Sequence, residues 1–282
     1  MRSGRAKSRS SVRDALDSAV IALTAAKVDS PRLDAELLLA AATGLSRARI
    51  VSDPGRLLEP AEARAFADLA RRRREREPVA YLLGEKGFRR LDLKVDRRVL
   101  VPRPETEHLV EAAVAHLPRG ARVVDVGTGS GAVALALKDE RPDLELIATE
   151  LSPDALAVAR ANGALLGLEV QWLEGDLLTP VGAVVPRVDA VVSNPPYVAD
   201  GDPLPPEVAR HEPALALFGG PDGLDAHRRL IPAAAAIGAR WIALEVGQGQ
   251  AAAVAALLRE AGYAHTAADR DLAGIERVVR GW

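Results

Sequence analysis

The chain contains no cysteine, so disulfides and thiolate metal sites are excluded. Its five histidines (His108, His116, His211, His227, His265) fall at no metal-ligand spacing, and no metal centre is expected. No apolar run reaches membrane-spanning length, which excludes a transmembrane helix. The first ten residues, MRSGRAKSRS, are basic, but no apolar core follows as in a secretory signal, so a cytoplasmic protein is the expectation. Aromatic residues are scarce at 3%, which leaves few rings for stacking bases. What the chain does have is 48% hydrophobic and 27% charged residues over 282 positions, the composition of a soluble globular protein of one large or two modest domains. Net charge is near zero but unevenly spread. Residues 1–77 carry 16 Lys and Arg against 11 Asp and Glu, and the remainder 21 against 28. That asymmetry suggests a docking surface for an anionic partner, with a solvated helix face as the competing explanation for Arg71–Arg74.

Residues 1–10 read as a disordered tail. From 11 to 77 the pattern is helical. Val12, Leu16, Val20 and Leu23 share one helix face. Ser30-Pro31 with Asp34 marks a helix start with a hydroxyl cap, Leu33, Leu37 and Leu38 its apolar face, and Gly44 its end. Pro60 opens a longer helix to about Arg76. Residues 78–101 alternate like strands, from Tyr81-Leu82-Leu83-Gly84 through Phe88–Val95, and predict a β-hairpin linker around a glycine-containing turn. From 102 to 282, after a first helix, short apolar runs near 121–127, 144–150, 169–174, 188–193 and 239–246 alternate with helical stretches, and two further strands follow near 263–269 and 274–280. The fold class is therefore α/β, a doubly wound, mainly parallel seven-stranded sheet of Rossmann type behind a small helical bundle. Ligands in such sheets bind beyond the carboxyl ends of the strands.

Two motifs sit at such ends. The strand Val188–Ser193 runs into Asn194-Pro195-Pro196-Tyr197, where two prolines fix the backbone direction and form a rigid ledge. A planar –NH2 group needs two acceptors, and the Asn194 side-chain oxygen and the Pro195 carbonyl offer them, with Tyr197 placed to cover the flat face. The second motif, Asp125-Val126-Gly127-Thr128-Gly129-Ser130-Gly131, is a strand turning through glycines into a helix, which allows close approach of a ligand to bare backbone. Glu150, nineteen residues beyond Gly131, ends the next strand and suits the hydroxyls of a ribose. Asp176 ends the third and suits an adenine amino group. A nucleoside ligand follows, but the glycine motif alone fits either a nicotinamide dinucleotide or S-adenosylmethionine. Asp125 (placed to order the loop and face an ammonium group), Asp176 and the adjacent ledge favour the second.

With these residues in place, the chain resembles the class I S-adenosylmethionine-dependent methyltransferases, and more closely the bacterial peptide chain release factor glutamine methyltransferase family. The resemblance also rests on Glu77-Pro78-x-x-Tyr81-x-x-Gly84, the run Val99–Glu107, Glu212-Pro213-x-x-Ala216-Leu217, Gly220-x-x-Gly223, Glu245-x-Gly247-x-x-Gln250 and Glu276–Val279. It implies that Gly127, Thr128, Gly129, Ser130 and Gly131 line the cofactor together with Asn194, that Glu150 holds its ribose, and that Asp176 and Leu177 flank its adenine. It further implies that Asn194, Pro195, Pro196 and Tyr197 bind the substrate glutamine in the Gly-Gly-Gln motif of class I release factors. Arg103 and Glu105 either shape the substrate entrance or form a salt-bridged junction. The expected partner is a release factor, with no membrane, no stable nucleic-acid complex and a monomeric enzyme. The competing readings are an N-methyltransferase of an exocyclic base amine in rRNA or DNA, a nicotinamide oxidoreductase that would leave the ledge idle, and a non-catalytic adaptor.

Overall fold

The computed structural model describes residues 10–282, so the predicted basic tail lies outside the described residues apart from Ser10. The chain divides into two compact units: residues up to Gly84 together with Pro205–His211, and Glu85–Leu204 together with Glu212–Trp282.

The first unit contains α1 (Val12–Ala25), α2 (Pro31–Thr43), α3 (Arg47–Ser52), α4 (Pro60–Arg74) and α5 (Val79–Leu83). Ser11 starts α1 with a reciprocal cap, its hydroxyl accepting from the Asp14 amide at 3.1 Å while the Asp14 carboxylate accepts from the Ser11 amide. Val12, Leu16, Leu23, Leu38, Leu39, Ile50, Leu58 and Phe66 form the core.

Six sequence expectations are corrected here. Ser30 precedes α2 but makes no side-chain cap; Pro31 at the first turn suffices. The inward stripe of α2 is Asp34, Ala35, Leu38 and Leu39, while Leu33 is exposed. The rotation follows from Asp34, which is buried against the Arg73 guanidinium at 2.7 Å. Tyr81–Leu83 lie in a helical turn rather than a strand, because Pro78 opens it, Gly84 closes it in the left-handed region, and Leu82 and Leu83 pack on the bundle core. The first unit thus ends at Gly84, not at Glu77. The hairpin is correspondingly shorter, β1 (Glu85–Phe88) with β2 (Leu91–Lys94), and its turn is Arg89-Arg90, with no glycine. Arg89 holds a positive φ of 53° there; its amide donates to Glu107 and its guanidinium to Glu140 and Glu111. Finally, the run Arg71–Arg74 is not one solvated face: Arg73 is buried.

The second unit continues with α6 (Glu107–His116), β3 (Arg122–Val126), α7 (Ala132–Glu140), β4 (Glu145–Glu150), α8 (Pro153–Leu166), β5 (Gln171–Glu174) and β6 (Ala190–Ser193). Then α9 (Pro206–His211) folds into the first unit. There Glu207 accepts from Arg73 at 3.0 Å and from Arg76 at 2.5 Å. The chain completes the second unit with α10 (Asp225–Ala236), β7 (Trp241–Glu245), α11 (Ala251–Glu260), β8 (Thr266–Arg270) and β9 (Glu276–Gly281). The sheet order is β5-β4-β3-β6-β7-β9-β8, with β9 antiparallel to both neighbours. Successive residues feed opposite cores: Val123, Ala190, Val192 and Ala243 one side, Val124, Val191, Ile242 and Leu244 the other. That two-sided burial is why these strands read as continuous apolar runs. Order reverses between β3 and β6, and their adjacent carboxyl ends define the switch point.

Candidate active site

A cavity of about 380 Å³ opens beyond these strand ends. Its floor is the turn after β3. Asp125 is fully buried and accepts from the Thr128 hydroxyl at 2.6 Å and the Ala134 amide at 3.1 Å, so it ties the glycine turn to the first turn of α7. Burial pushes its carboxyl up to about 6. Gly127, Thr128, Gly129 and Ser130 line the cavity, and nothing stands within 4 Å of where a Cβ on Gly127 or Gly129 would be, so bare backbone faces the space. Glu150, at the end of β4, also lines it. Its two oxygens accept from the Gly129 and Ser152 amides, both at 2.9 Å, which fixes the carboxylate while leaving lone pairs for hydroxyl donors.

Gly131 is brought to a different place. It is absent from the lining, and a Cβ there would meet Leu135 Cδ1 at 3.0 Å and Trp172 Cη2 at 3.2 Å, so its glycine serves packing between α7 and β5. Asp176 and Leu177 do line the cavity, but the Asp176 carboxylate is paired with Arg229, a lining residue the sequence did not flag. Arg103 also lines the cavity, its guanidinium 2.5 Å from Glu212, whose other oxygen accepts from the Val101 amide at 3.1 Å. Arg103 is thus both part of the wall and ion-paired within the second unit.

The ledge follows β6. The Ser193 hydroxyl donates to the Val126 carbonyl at 2.7 Å and pins the end of β6 to β3. Asn194, Pro195 and Pro196 line the cavity. Asn194 Nδ2 donates to Thr106 Oγ1 at 3.1 Å, and its Oδ1 accepts no hydrogen bond from the described residues. Tyr197 does not line the cavity: its hydroxyl donates to Glu245 Oε1 at 3.3 Å, and burial with the neighbouring carboxylate pushes the phenol upward. Gln250 braces the ledge from behind, accepting from the Gly247 amide at 2.8 Å and donating to the Tyr197 carbonyl at 2.9 Å.

Sequence reading missed Thr106, and took Glu245 only from resemblance. Glu245 had a local signal, an acid closing the wholly apolar run Trp241–Leu244, the same signal that flagged Glu150. Its carboxyl is raised to about 7, chiefly by burial, with Thr106 and Tyr197 as the hydroxyls that pull it back. Asn162, also missed, is buried in α8; it accepts from the Lys94 amide at 2.8 Å and donates to the Lys94 and Ser130 carbonyls, joining the hairpin to the glycine turn.

The strand order, the glycine turn after the first parallel strand and the strand-end carboxylate define the class as a Rossmann-like methyltransferase. Residues 105–208 match the methyltransferase small domain, and residues 14–84 match the PrmC N-terminal domain. The chain is 45% identical over 276 residues to a release factor glutamine methyltransferase of Deinococcus radiodurans, covering 95% of this chain and 97% of that one. It is 43% identical over 280 residues to one of Mycolicibacterium smegmatis, covering 95% and 96%. A methyltransferase from Pyrococcus furiosus superposes with a TM-score of 0.51 at 18% identity over 68% of this chain and 88% of that one, a likeness of fold alone. This chain belongs to the release factor glutamine methyltransferase family.

Proposed function

We propose that the protein transfers a methyl group from S-adenosylmethionine to the side-chain amide nitrogen of the glutamine in the Gly-Gly-Gln motif of a peptide chain release factor. The cavity residues fit such a cofactor: open glycine backbone, a fixed carboxylate for ribose hydroxyls, and apolar wall from Leu151 and Leu177. Gly127–Ser130 and Glu150 would hold it, with Asp176 and Leu177 near its base. When bound, it supplies an electrophilic methyl group on a sulfonium.

The remaining work falls to the ledge. An amide nitrogen is a poor nucleophile because its lone pair is shared with the carbonyl. Asn194 Oδ1 and the Pro195 carbonyl accept the two N–H donors of the substrate amide and fix its plane; such positioning is worth on the order of 7–11 kcal/mol in favourable cases. As positive charge develops on the nitrogen, both hydrogen bonds strengthen, which is binding realised in the transition state. The surplus proton leaves nitrogen after transfer, so no base is required beforehand. The observation that carries this reading is the Asn194–Thr106 hydrogen bond, which leaves the amide oxygen as the end free for a donor.

The test is methyl transfer from labelled cofactor to a purified release factor. Label is expected on the factor and lost when its motif glutamine is replaced. Asn194→Ala is expected to lower kcat by about 10²-fold or more, with cofactor affinity nearly unchanged. Label on RNA instead, or equal losses in kcat and cofactor affinity, would contradict the assignment.

A further inference from the structure

We infer that Asn162 is a positioning residue for the cofactor: its buried amide ties the glycine turn to the end of the hairpin and so holds two walls of the cavity at a fixed spacing. The inference rests on the proposed reading of that cavity as a cofactor site. Asn162 is 0% exposed in α8. Its side chain has one acceptor oxygen and two donor hydrogens, and all three are engaged. Oδ1 accepts from the Lys94 amide at 2.8 Å, while Nδ2 donates to the Lys94 carbonyl at 3.0 Å and to the Ser130 carbonyl at 2.9 Å. These partners dictate which way the amide points. A backbone N–H only donates and a carbonyl only accepts, so exchanging the two ends would break every bond.

Both partners lead to the cavity. Ser130 is 3% exposed and belongs to its lining. The turn that carries it has two further side-chain anchors, Asp125 at the Thr128 hydroxyl and Glu150 at the Gly129 amide, and both come from strands of the large sheet. Asn162 adds a third from α8. On the other side, Lys94 ends β2, and Asn162 meets it with the donor and acceptor that a neighbouring strand would offer. Beyond Lys94 the chain passes buried Val95 and reaches Arg98, Val99, Leu100, Pro102 and Arg103, which line the cavity. Asn162 does not line it, so it acts on a ligand through Ser130 and Lys94. Removing the amide takes a partner from two carbonyls and one N–H, a loss that a shift of the turn or of the hairpin end would relieve.

The experiment measures S-adenosylmethionine affinity by calorimetry and amide hydrogen exchange with and without saturating cofactor. Asn162→Asp keeps the shape and an acceptor for the Lys94 amide, but at pH 8 it offers no donor to Ser130; Asn162→Ala removes all three bonds. Leu144→Ala, a core cavity at the amino end of β4, is the control for lost stability alone. Each variant is used at a temperature where its melt shows it folded. Both Asn162 variants are expected to lose about tenfold in cofactor affinity, and Leu144→Ala to stay within about twofold of wild type. In the wild-type protein, bound cofactor is expected to slow exchange of the Lys94 amide about fivefold beyond any change in edge strand β8. That slowing is expected to vanish in Asn162→Asp. Unchanged affinity in the Asn162 variants, an equal loss in Leu144→Ala, or no selective slowing at Lys94 in the wild-type protein overturns the inference. A wild-type protein that binds no S-adenosylmethionine would instead overturn the reading of the cavity.

Discussion

Glu245 is a buried acid that ties the stability of the fold to pH. Its carboxyl is raised from 4.5 to about 7, mainly by burial; Glu105 adds to the rise, and Arg277, Thr106 and Tyr197 oppose it. The folded pKa lies above the unfolded one, so the neutral form favours folding. That contribution is complete below about 4.5 and is lost as pH rises through about 7. Glu245→Gln removes the dependence. Its stability relative to wild type is therefore expected to rise between pH 5 and pH 8, by about 2–3 kcal/mol. Asp125, raised to about 6, titrates in both proteins and cancels from the difference. Thermal melts at the two pH values check this, and a constant difference would refute it. Glu245 was legible as an acid at the end of an apolar strand; Thr106 was not, because no local pattern separates a threonine that holds the ledge asparagine from any other helix-start threonine.

At the scale of elements, the parallel strands were readable because both faces are buried, and continuous apolar runs leave little choice of structure. What failed was short and decided by partners elsewhere in the chain. Tyr81-Leu82-Leu83 has no periodicity of its own, and the bundle core makes it helical. The stripe of α2 turned on a single buried ion pair across 39 positions. The glycines divide in the same way. All three of the turn looked alike in sequence, yet Gly131 faces Trp172 rather than the cavity. Gly223, outside the turn, matters more to the ledge: its φ is +76°, and a Cβ would lie 2.1 Å from the Tyr197 carbonyl oxygen and 2.6 Å from Gln250 Nε2. Gly223→Ala must displace the ledge, and is expected to lose about 10²-fold in kcat, since small misplacements cost that much. Gly131→Ala is expected to act on stability instead, by roughly 2 kcal/mol of backbone strain and crowding. Denaturant titration and kinetics on both variants separate the two effects.

At the scale of the whole molecule, the positive surplus of the first 77 residues is partly turned inward. Arg73 binds Asp34 and Glu207, Arg76 binds Glu207 and the Ala26 carbonyl, and Arg72 binds Glu77 at 2.6 Å. A composition count cannot separate such arginines from a docking surface, because the acid that neutralises two of them, Glu207, lies 131 positions or more along the chain. Removing it leaves two buried guanidinium groups short of a partner. Glu207→Ala is therefore expected to destabilise the protein by about 3 kcal/mol, read as a lower midpoint in urea. A change below about 0.5 kcal/mol would show the cluster to be solvated.

The excursion of α9 has a consequence for inheritance and engineering alike. The backbone passes between the units three times, after Gly84, after Leu204 and after His211. Cutting at Gly84 alone strands Glu207 without its arginines and leaves the bundle without its acid. The helical unit is therefore no cassette that recombination can lift out at a single breakpoint. A productive graft has to carry Pro205–His211 with it, so the two segments are expected to be exchanged together or not at all.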